Sequence, residues 1–136
     1  MKKVLIDTGP LVAILAKNDS QHLVCREALR ALTPPLFTCW PVVTEVAWLL
    51  RNQPYAIEKL FHSFETGFLK MLSVNEDAIS EIAKLLRRYR DLSAQVADAT
   101  LVHLAERESI DTIFTMDRRD FTVYRYRGDR SFHLLP

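Results

Sequence analysis

Short apolar runs that alternate with longer amphipathic segments predict an α/β fold, in which helices cover both faces of a parallel β-sheet. The chain has 136 residues, of which 49% are hydrophobic and 26% are charged, an ordinary composition for a globular protein. It contains neither an internal repeat nor a low-complexity linker, and glycine occurs only 3 times. These observations predict one domain that spans residues 1–136 and buries a core of useful size.

Five short runs, each bounded by turn-forming or polar residues, are predicted to be the strands of this sheet. They are Lys2–Ile6, Leu36–Cys39, Phe68–Val74, Thr112–Thr115 and Ser131–Leu134. Runs rich in Val, Leu and Ile, such as the first, are typical of strands that are buried on both faces of a parallel sheet. The order of the strands within the sheet is not fixed by the sequence.

Six segments between these strands are predicted to be helices, and capping signals mark several of their starts. They are Leu11–Ala16, Ser20–Leu32, Pro41–Arg51, Tyr55–Thr66, Glu76–Arg90 and Ser93–Glu108. The turn Asp7-Thr8-Gly9-Pro10 opens the first helix, with proline at a favourable first helical position. Ser20 and Asn75 are predicted to cap the helices that follow them.

Two acidic residues end apolar runs that are predicted to be strands. Asp7 follows Val4-Leu5-Ile6, and Asp117 follows the run at 113–116. In open parallel sheets, ligands bind beyond the carboxyl ends of the strands, near a topological switch point, and both acids occupy this kind of position. The alternative is that each acid serves only as a helix cap or a turn residue.

Two further acids, Glu45 and Asp98, lie inside apolar helical segments, where a charge is expensive to place. Glu45 is the only charged residue between Pro41 and Leu50, and its neighbours at helical spacing are apolar. Asp98 is similarly flanked, and Asp is a poor residue inside a helix. The alternatives are a buried ion pair with an arginine for Glu45 and a solvent-facing acid in the first helical turn for Asp98.

Together the four acids favour one metal site. Carboxylates that lie within a few ångströms of each other raise each other's pKa, and a divalent cation removes this penalty. Oxygen ligands without His or Cys favour Mg²⁺ or Mn²⁺ over zinc, and such an ion can activate water and hold a phosphate oxygen. Thr8 and Thr115 are neighbouring hydroxyls that could orient a ligand, and Asp120 is a further candidate acid. Capping is the favoured role for Thr8, and a turn role is an equal alternative for Asp120.

Other chemistries lack a matching pattern in the sequence. Cys25 and Cys39 do not have zinc-binding spacing and are predicted to be reduced thiols in a cytoplasmic protein. No Gly-x-Ser-x-Gly motif or phosphate-binding glycine loop occurs. No run reaches the ~20 apolar residues of a membrane span, and Asp7 and Pro10 interrupt the one stretch that resembles a signal peptide. The histidines are scattered without ligand spacing, at His22, His62, His103 and His133.

Four segments of the chain resemble the motifs of PIN domains, the metal-dependent ribonucleases that include VapC-type toxins. The segments are Val4-Leu5-Ile6-Asp7-Thr8-Gly9-Pro10-Leu11, Thr44-Glu45-Val46, the stretch 96–106 that contains Asp98, and Thr115-Met116-Asp117-Arg118-Arg119-Asp120-Phe121. Each motif alone has little specificity, whereas the four in this order and spacing are specific. The resemblance covers essentially the whole chain.

This resemblance implies a PIN-like fold with a central five-stranded parallel sheet flanked by helices on both faces. It implies a Mg²⁺ or Mn²⁺ site on Asp7, Glu45, Asp98 and Asp117, and cleavage of single-stranded RNA, frequently tRNA or rRNA, by an activated water. The three aspartates would hold the metal, and Glu45 would ligate it or orient the attacking water. A homodimer and a small antitoxin partner are also implied, with no membrane association.

The second half of the chain is rich in arginine, although the net charge is only +1. Guanidinium groups suit phosphate, so the residues that follow Asp117 are predicted to hold the RNA backbone, and solvated surface is the alternative. These residues are Arg118, Arg119, Arg125 and Arg127. Phe121 and Tyr124 are candidates for stacking on unpaired bases. Trp40 is a further candidate for this role, but core packing is the stronger prediction for it.

Three other functions remain open at this point. The chain could be a PIN nuclease that processes RNA without being a toxin. It could be a non-catalytic module that binds a cation for structure and RNA or a protein through its arginines. A phosphoacceptor domain with Asp7 or Asp117 phosphorylated is disfavoured, because such domains keep a lysine near the strand ends, where Arg118 and Arg119 stand.

Overall fold

The computed structural model describes residues 2–136 and contains a five-stranded sheet flanked by helices. The strands lie in the order β3-β2-β1-β4-β7, and every pairing in this sheet is parallel. The predicted α/β fold is therefore confirmed. The sheet strands are β1 (Val4–Ile6), β2 (Leu36–Thr38), β3 (Leu69–Met71), β4 (Thr112–Phe114) and β7 (His133–Leu135), and a separate antiparallel hairpin is formed by β5 (Arg125–Tyr126) and β6 (Arg130–Ser131).

The helices alternate with the sheet strands, as predicted. Their bounds are α1 (Thr8–Leu15), α2 (His22–Arg30), α3 (Trp40–Leu49), α4 (Pro54–Glu65), α5 (Ile79–Arg88), α6 (Val96–Glu108) and α7 (Arg118–Val123). Two 3₁₀ turns, Glu76–Ala78 and Arg90–Leu92, flank α5. Among the described residues, none of these helices combines the length and the apolar character that crossing a bilayer requires.

Several predicted boundaries differ from the structure. The prediction that Ser20 caps α2 is wrong, since Gln21 occupies the capping position, and the side chain of Asn75 makes no capping hydrogen bond. The helix predicted from Ser93 begins at Val96, because Ser93 adopts a left-handed conformation with φ 55. The short helix α7 and the hairpin after it were not predicted.

The first strand lies at the centre of the sheet, between β2 and β4. The strand order reverses between β1 and β4, because the chain proceeds from β1 towards one edge and later returns to the other side of it. This boundary is the topological switch point, where parallel α/β sheets bind ligands. The backbone N–H of Asp7 donates to the Phe114 carbonyl at 2.9 Å, so the carboxyl ends of β1 and β4 lie side by side.

The three aromatic residues that were considered for base stacking have burial opposite to the predictions. Trp40 is 56% exposed, because α3 turns Val42, Val43 and Val46 into the core and leaves the tryptophan on another face. Phe121 and Tyr124 are buried, so the prediction that they stack on bases is wrong. Their rings pack edge to face with centroids 4.9 Å apart.

Candidate metal centre

The four predicted acids line one open cavity of ≈520 Å³ at the switch point of the sheet. Asp7 follows β1, Glu45 lies on α3, Asp98 lies in the first turn of α6, and Asp117 precedes α7. Asp120 also lines the cavity, whereas no Lys, Arg or His does. Among residues 2–136, none of the ion pairs involves any of these acids. Glu45 therefore has no arginine partner of the kind that the alternative interpretation required.

Asp7 is only 7% exposed, and its carboxylate is held by two hydrogen bonds. The backbone N–H of Thr8 donates to Oδ1 at 2.8 Å, which makes Asp7 the cap of α1, and the Thr115 hydroxyl donates to Oδ2 at 2.8 Å. Burial is the main reason that the pKa of Asp7 is raised to about 6; the charges of Asp98 and Glu45 contribute to the rise, and the two hydrogen bonds oppose it. Asp7 therefore caps α1 and also carries a buried carboxylate whose ionisation is unfavourable.

Thr115 links the two strand ends that carry acids. Its hydroxyl is fully buried, donates to Asp7 and accepts from the backbone N–H of Asp117 at 3.0 Å. Asp117 in turn caps α7, since its Oδ1 accepts from the Asp120 N–H at 3.1 Å. Asp117 therefore caps α7 and also lines the cavity. The pKa of the neighbouring Asp120 is raised, mainly by burial and also by the charge of Asp117.

A second hydroxyl fixes Glu45. The Thr8 side chain donates to Oε1 of this half-buried glutamate across a separation of 37 residues. Gly9, the next residue of α1, lies against the Met116 side chain, and a Cβ at this position would come within 3.2 Å of it. A glycine here lets the first turn of α1 approach the segment that carries Asp117. Thr8 thus holds an acid instead of acting as the predicted helix cap.

Asp98 is fixed by Tyr124, which had been predicted to stack on unpaired bases. The buried hydroxyl of Tyr124 donates to Asp98 Oδ2 at 3.0 Å, and Asp98 forms a capping box with Gln95. Burial raises the pKa of Asp98, as do the charges of Asp117 and Glu45, while the two hydrogen bonds lower it. Burial also raises the pKa of Tyr124 far above its ordinary value, so this phenol remains a donor. No sequence spacing indicated this pair.

The donor set of the cavity fits a hard divalent cation. Five carboxylates line the cavity together with the oxygen-bearing side chains of Thr8, Ser93 and Gln95, and Mg²⁺ and Mn²⁺ prefer oxygen ligands. Burial first, and then the charges of neighbouring acids, raises the pKa of Asp7 and Asp98, and a bound cation would offset both costs. Within residues 2–136, no three acidic, His or Cys side chains already stand at ligand spacing. Binding an ion would therefore require the carboxylates to draw together.

The four predicted arginines lie in different surroundings. Arg119 is near enough to Asp120 for its charge to oppose the rise in that pKa. Arg118 donates to the carbonyl of Pro136 at 3.1 Å, and Arg125 donates to the carbonyls at the end of α7. Arg125 and Arg127 line a separate cavity of ≈360 Å³ that shares no lining residue with the acidic one. Of the four, Arg119 is the one associated with the acidic cavity.

A parallel sheet with a cluster of carboxylates at its switch point defines an α/β protein with a candidate divalent-metal centre. The sequence pattern of the PIN domain family matches residues 4–126, and the chain belongs to this family. The resemblance found in the four motifs is thereby confirmed.

Two proteins of Mycobacterium tuberculosis are similar to the chain. Ribonuclease VapC26 of strain ATCC 25618 / H37Rv is 27% identical over 135 residues, which cover 98% of this chain and 100% of that protein. The crystal structure of VapC20, a Sarcin-Ricin loop cleaving toxin, superposes with a TM-score of 0.78 at 17% identity, over 85% of this chain and 91% of the other. At 17% identity, the similarity to VapC20 shows a shared fold and no more.

Proposed function

We propose that the protein is a Mg²⁺- or Mn²⁺-dependent endoribonuclease that hydrolyses phosphodiester bonds of single-stranded RNA. The observation that carries this proposal is the arrangement of four carboxylates, supplied by four separate elements, around one cavity that no cationic side chain lines. Membership of the PIN domain family and similarity to a protein named as a ribonuclease support it. The nuclease unit would be the whole chain, residues 1–136.

In this proposal Asp7, Asp98 and Asp117 hold the metal, and Glu45 ligates it or orients the attacking water. When bound, the ion would make that water more acidic and neutralise charge that develops on the phosphate. The protein positions each acid through a hydroxyl or backbone donor: Thr115 for Asp7 and Tyr124 for Asp98. These donors orient the carboxylates, which would still have to draw together around the ion.

Arg119 is the favoured contact to the RNA backbone, because its charge acts on Asp120, which lines the acidic cavity. Arg118, Arg125 and Arg127 already donate to carbonyl or hydroxyl oxygens of the protein, so each would contact phosphate only with its remaining N–H groups. Asp120 extends the acidic wall next to Asp117.

A more specific proposal is that this nuclease is the toxin of a toxin–antitoxin pair. The names of VapC26 and VapC20 support it, and tRNA or rRNA would then be the target, in the cytoplasm. A small antitoxin protein and a second copy of the chain would be the partners. An RNA-processing nuclease is the other candidate, and the two differ in whether expression of the protein alone arrests growth and whether an adjacent gene relieves the arrest.

Incubation of the purified protein with defined RNAs in Mg²⁺, Mn²⁺ or EDTA tests the proposal. We expect cleavage with either metal and none in EDTA. Replacing Asp98 with Asn should lower the cleavage rate by roughly 100- to 1,000-fold, since the amide carries no charge to hold the ion. The fold should persist, because the Asn oxygen can still accept from the Tyr124 hydroxyl and from the Gln95 N–H in the capping box of α6. Circular dichroism provides the folding control.

Undiminished metal-dependent cleavage by the Asp98→Asn variant would contradict the assignment. If the wild-type protein binds RNA but never cleaves it with either metal, the non-catalytic module becomes the better description.

Tyr124 offers a subtler test, because its hydroxyl touches Asp98 and not the substrate. Tyr124→Phe keeps the ring packing against Tyr89 and Phe121 but removes the donor to Asp98. We expect about a tenfold loss in kcat or in metal affinity, with KM for RNA unchanged, which is typical of residues that orient a metal ligand. A titration of activity with Mg²⁺ separates these effects. An unchanged Mg²⁺ titration and kcat would show that the hydroxyl serves structure alone.

A further inference from the structure

A basic pocket of ≈360 Å³ lies between α5, α6 and the hairpin formed by β5 and β6, and it shares no lining residue with the acidic cavity. Four cationic side chains line it. They are Lys84 and Arg88 from α5, and Arg125 and Arg127 from the hairpin. The whole chain carries a net charge of only +1, so four cations around one pocket are a local concentration of positive charge.

The cations of the basic pocket outnumber its acids. Two acids share the lining, Glu81 and Glu106, and Glu81 pairs with Lys84 at 3.2 Å between exposed side chains. Among residues 2–136, none of the three arginines of the lining forms an ion pair. The half-buried imidazole of His103 adds a further possible donor. An anion that enters the pocket therefore meets three guanidinium groups that no carboxylate already binds.

Two of these guanidinium groups are held in place by the protein. Nη1 of Arg125 donates to the backbone carbonyls of residues 122–124 at 2.6 to 3.0 Å, and Nη2 of Arg127 donates to the Ser109 hydroxyl. A guanidinium has five N–H donors, so each arginine keeps donors that can bind a ligand. Because the side chains are already ordered, binding an anion costs less conformational entropy than it would with mobile arginines.

The backbone of the hairpin turn indicates that one of these arginines is present at a local cost. Arg127 has φ 47, in the left-handed region, and Gly128 follows with φ 89. Gly, Asn and Asp are more favourable in this region than residues with long side chains. The turn nevertheless carries an arginine, whose side chain lines the pocket.

The number of donors favours a phosphate group over a carboxylate as the ligand. A carboxylate offers two oxygens and one charge, whereas the phosphate group of a monoester offers three strong acceptor oxygens and up to two charges. Three arginines and a lysine supply more N–H groups than one carboxylate can accept. Arginine forks also bind phosphate through pairs of parallel hydrogen bonds.

The basic pocket lies about two helical turns from the acidic cavity. Helix α6 carries Asp98 in its first turn and Glu106 eight residues later, about 12 Å along the helix axis. Tyr124, which donates to Asp98, is followed directly by Arg125. An RNA strand bound at the acids could therefore place a second phosphate in the basic pocket, a few nucleotides from the cleaved bond.

We propose that the basic pocket binds a phosphate group, carried either by the RNA strand a few nucleotides from the cleaved bond or by a free phosphate-containing small molecule. The first source rests on the proposed ribonuclease function, whereas the affinity of the pocket for phosphate does not. With RNA as the source, the pocket favours strands that are long enough to span both sites.

The amide NMR signals of the three glycines test the binding step site by site. Gly128 lines the basic pocket, Gly9 lines the acidic cavity and Gly67 lines neither. The probes are inorganic phosphate, pyrophosphate and an oligouridine strand, each titrated in EDTA into protein labelled on glycine. We expect a saturable shift of the Gly128 signal, with Gly67 unchanged. The two inorganic probes should also leave Gly9 unchanged, and sodium chloride of equal ionic strength should not move Gly128.

Arg88→Gln and Arg87→Gln are a matched pair of variants, because each removes one charge from α5 and only Arg88 lines the pocket. Arg88→Gln should weaken binding of the phosphate probe roughly 3- to 30-fold, and Arg87→Gln should leave it nearly unchanged. Arg127→Asn should also weaken binding while it keeps the fold, since Asn tolerates the left-handed backbone at this turn.

The source of the phosphate follows from which probe binds. If RNA supplies it, oligouridine shifts Gly128, and Arg88→Gln lowers the slope of log affinity against log salt concentration by about 0.7, the value for one lost phosphate contact on a single strand. If a small molecule supplies it, inorganic phosphate or pyrophosphate shifts Gly128, while oligouridine does not and the affinity for RNA is the same in both variants.

Several results would overturn the proposal. They are the lack of a saturable Gly128 shift with all three probes, an equal shift with sodium chloride, and equal affinity in the Arg88→Gln and Arg87→Gln variants. Binding of oligoglutamate in the pocket without binding of any phosphate probe would identify a docking site for an acidic protein segment instead. Absence of RNA cleavage by the wild-type protein counts against the ribonuclease function alone, because the Gly128 signal reports binding in EDTA.

Discussion

Replacing Asp7 with Asn is expected to stabilise the metal-free protein at neutral pH while it removes nuclease activity. The carboxyl of Asp7 is buried near two other acids, and its pKa is raised from 3.8 to about 6. This rise corresponds to roughly 3 kcal/mol of free energy lost when the group ionises in the folded state. An Asn at this position still caps α1 and carries no charge.

The raised pKa of Asp7 makes the free energy of unfolding depend on pH. The folded protein holds the Asp7 proton more tightly than the unfolded chain, so the contribution to stability is complete below pH 3.8 and is lost as the pH rises through about 6. Asp7→Asn has no carboxyl that ionises at this position, so its stability does not fall in this way as the pH rises. We therefore expect Asp7→Asn to be more stable than wild type by about 1–3 kcal/mol at pH 7.5 in EDTA, with the difference vanishing near pH 4.

Urea unfolding at both pH values measures this difference, and cleavage assays measure the accompanying loss of activity. Added Mg²⁺ should narrow the gap, because an ion that binds only the folded wild-type site stabilises it by mass action. A variant that is less stable than wild type at pH 7.5 in EDTA would show that the carboxylate contributes more as a hydrogen-bond acceptor than it costs as a buried charge.

Thr115→Val is expected to destabilise the protein by about 2–5 kcal/mol, although the two side chains have nearly the same shape. The fully buried hydroxyl of Thr115 donates to Asp7 and accepts from the Asp117 N–H. Valine offers neither bond, so a buried carboxylate oxygen and a backbone N–H both lose a partner. Losing partners of this kind costs more than the bonds contribute when intact.

Two controls isolate this effect. Thr115→Ser retains the hydroxyl and should recover most of the stability. Thr112 lies on β4, which Thr115 directly follows, and Thr112→Val removes only a bond to the half-buried Asp111, so its cost should be near 1 kcal/mol or less. If Thr115→Val unfolds at the same urea concentration as wild type, the hydrogen bonds through Thr115 do not stabilise the fold.

Much of the architecture was predictable because strand and helix periods differ and alternate along the chain. The strands Val4–Ile6 and Thr112–Phe114 were found within a residue or two of their ends, since apolar runs end at Asp7 and before Asp117. The short helix Arg118–Val123 and the hairpin at 125–131 were missed, because two or three residues of strand carry no period. Tertiary packing, which buries Phe121 and Tyr124, determines them.

The acids themselves could be found from the sequence, because a carboxylate in an apolar run is unusual whatever it contacts. The groups that fix them could not. The hydrogen bonds from Thr8 to Glu45 and from Tyr124 to Asp98 join residues 37 and 26 positions apart. The face that α3 turns outward was also unpredictable, and with it the exposure of Trp40 and Trp48.

The central position of β1 has a consequence for how the protein gains its activity. Because β1 pairs with β2 on one side and with β4 on the other, two stretches about a hundred residues apart must meet before Asp7 and Asp117 become neighbours. Non-local pairing of this kind folds slowly. During refolding, we expect catalysis to return later than helical content. An intermediate in which β1 and β4 are not yet paired should not cleave RNA.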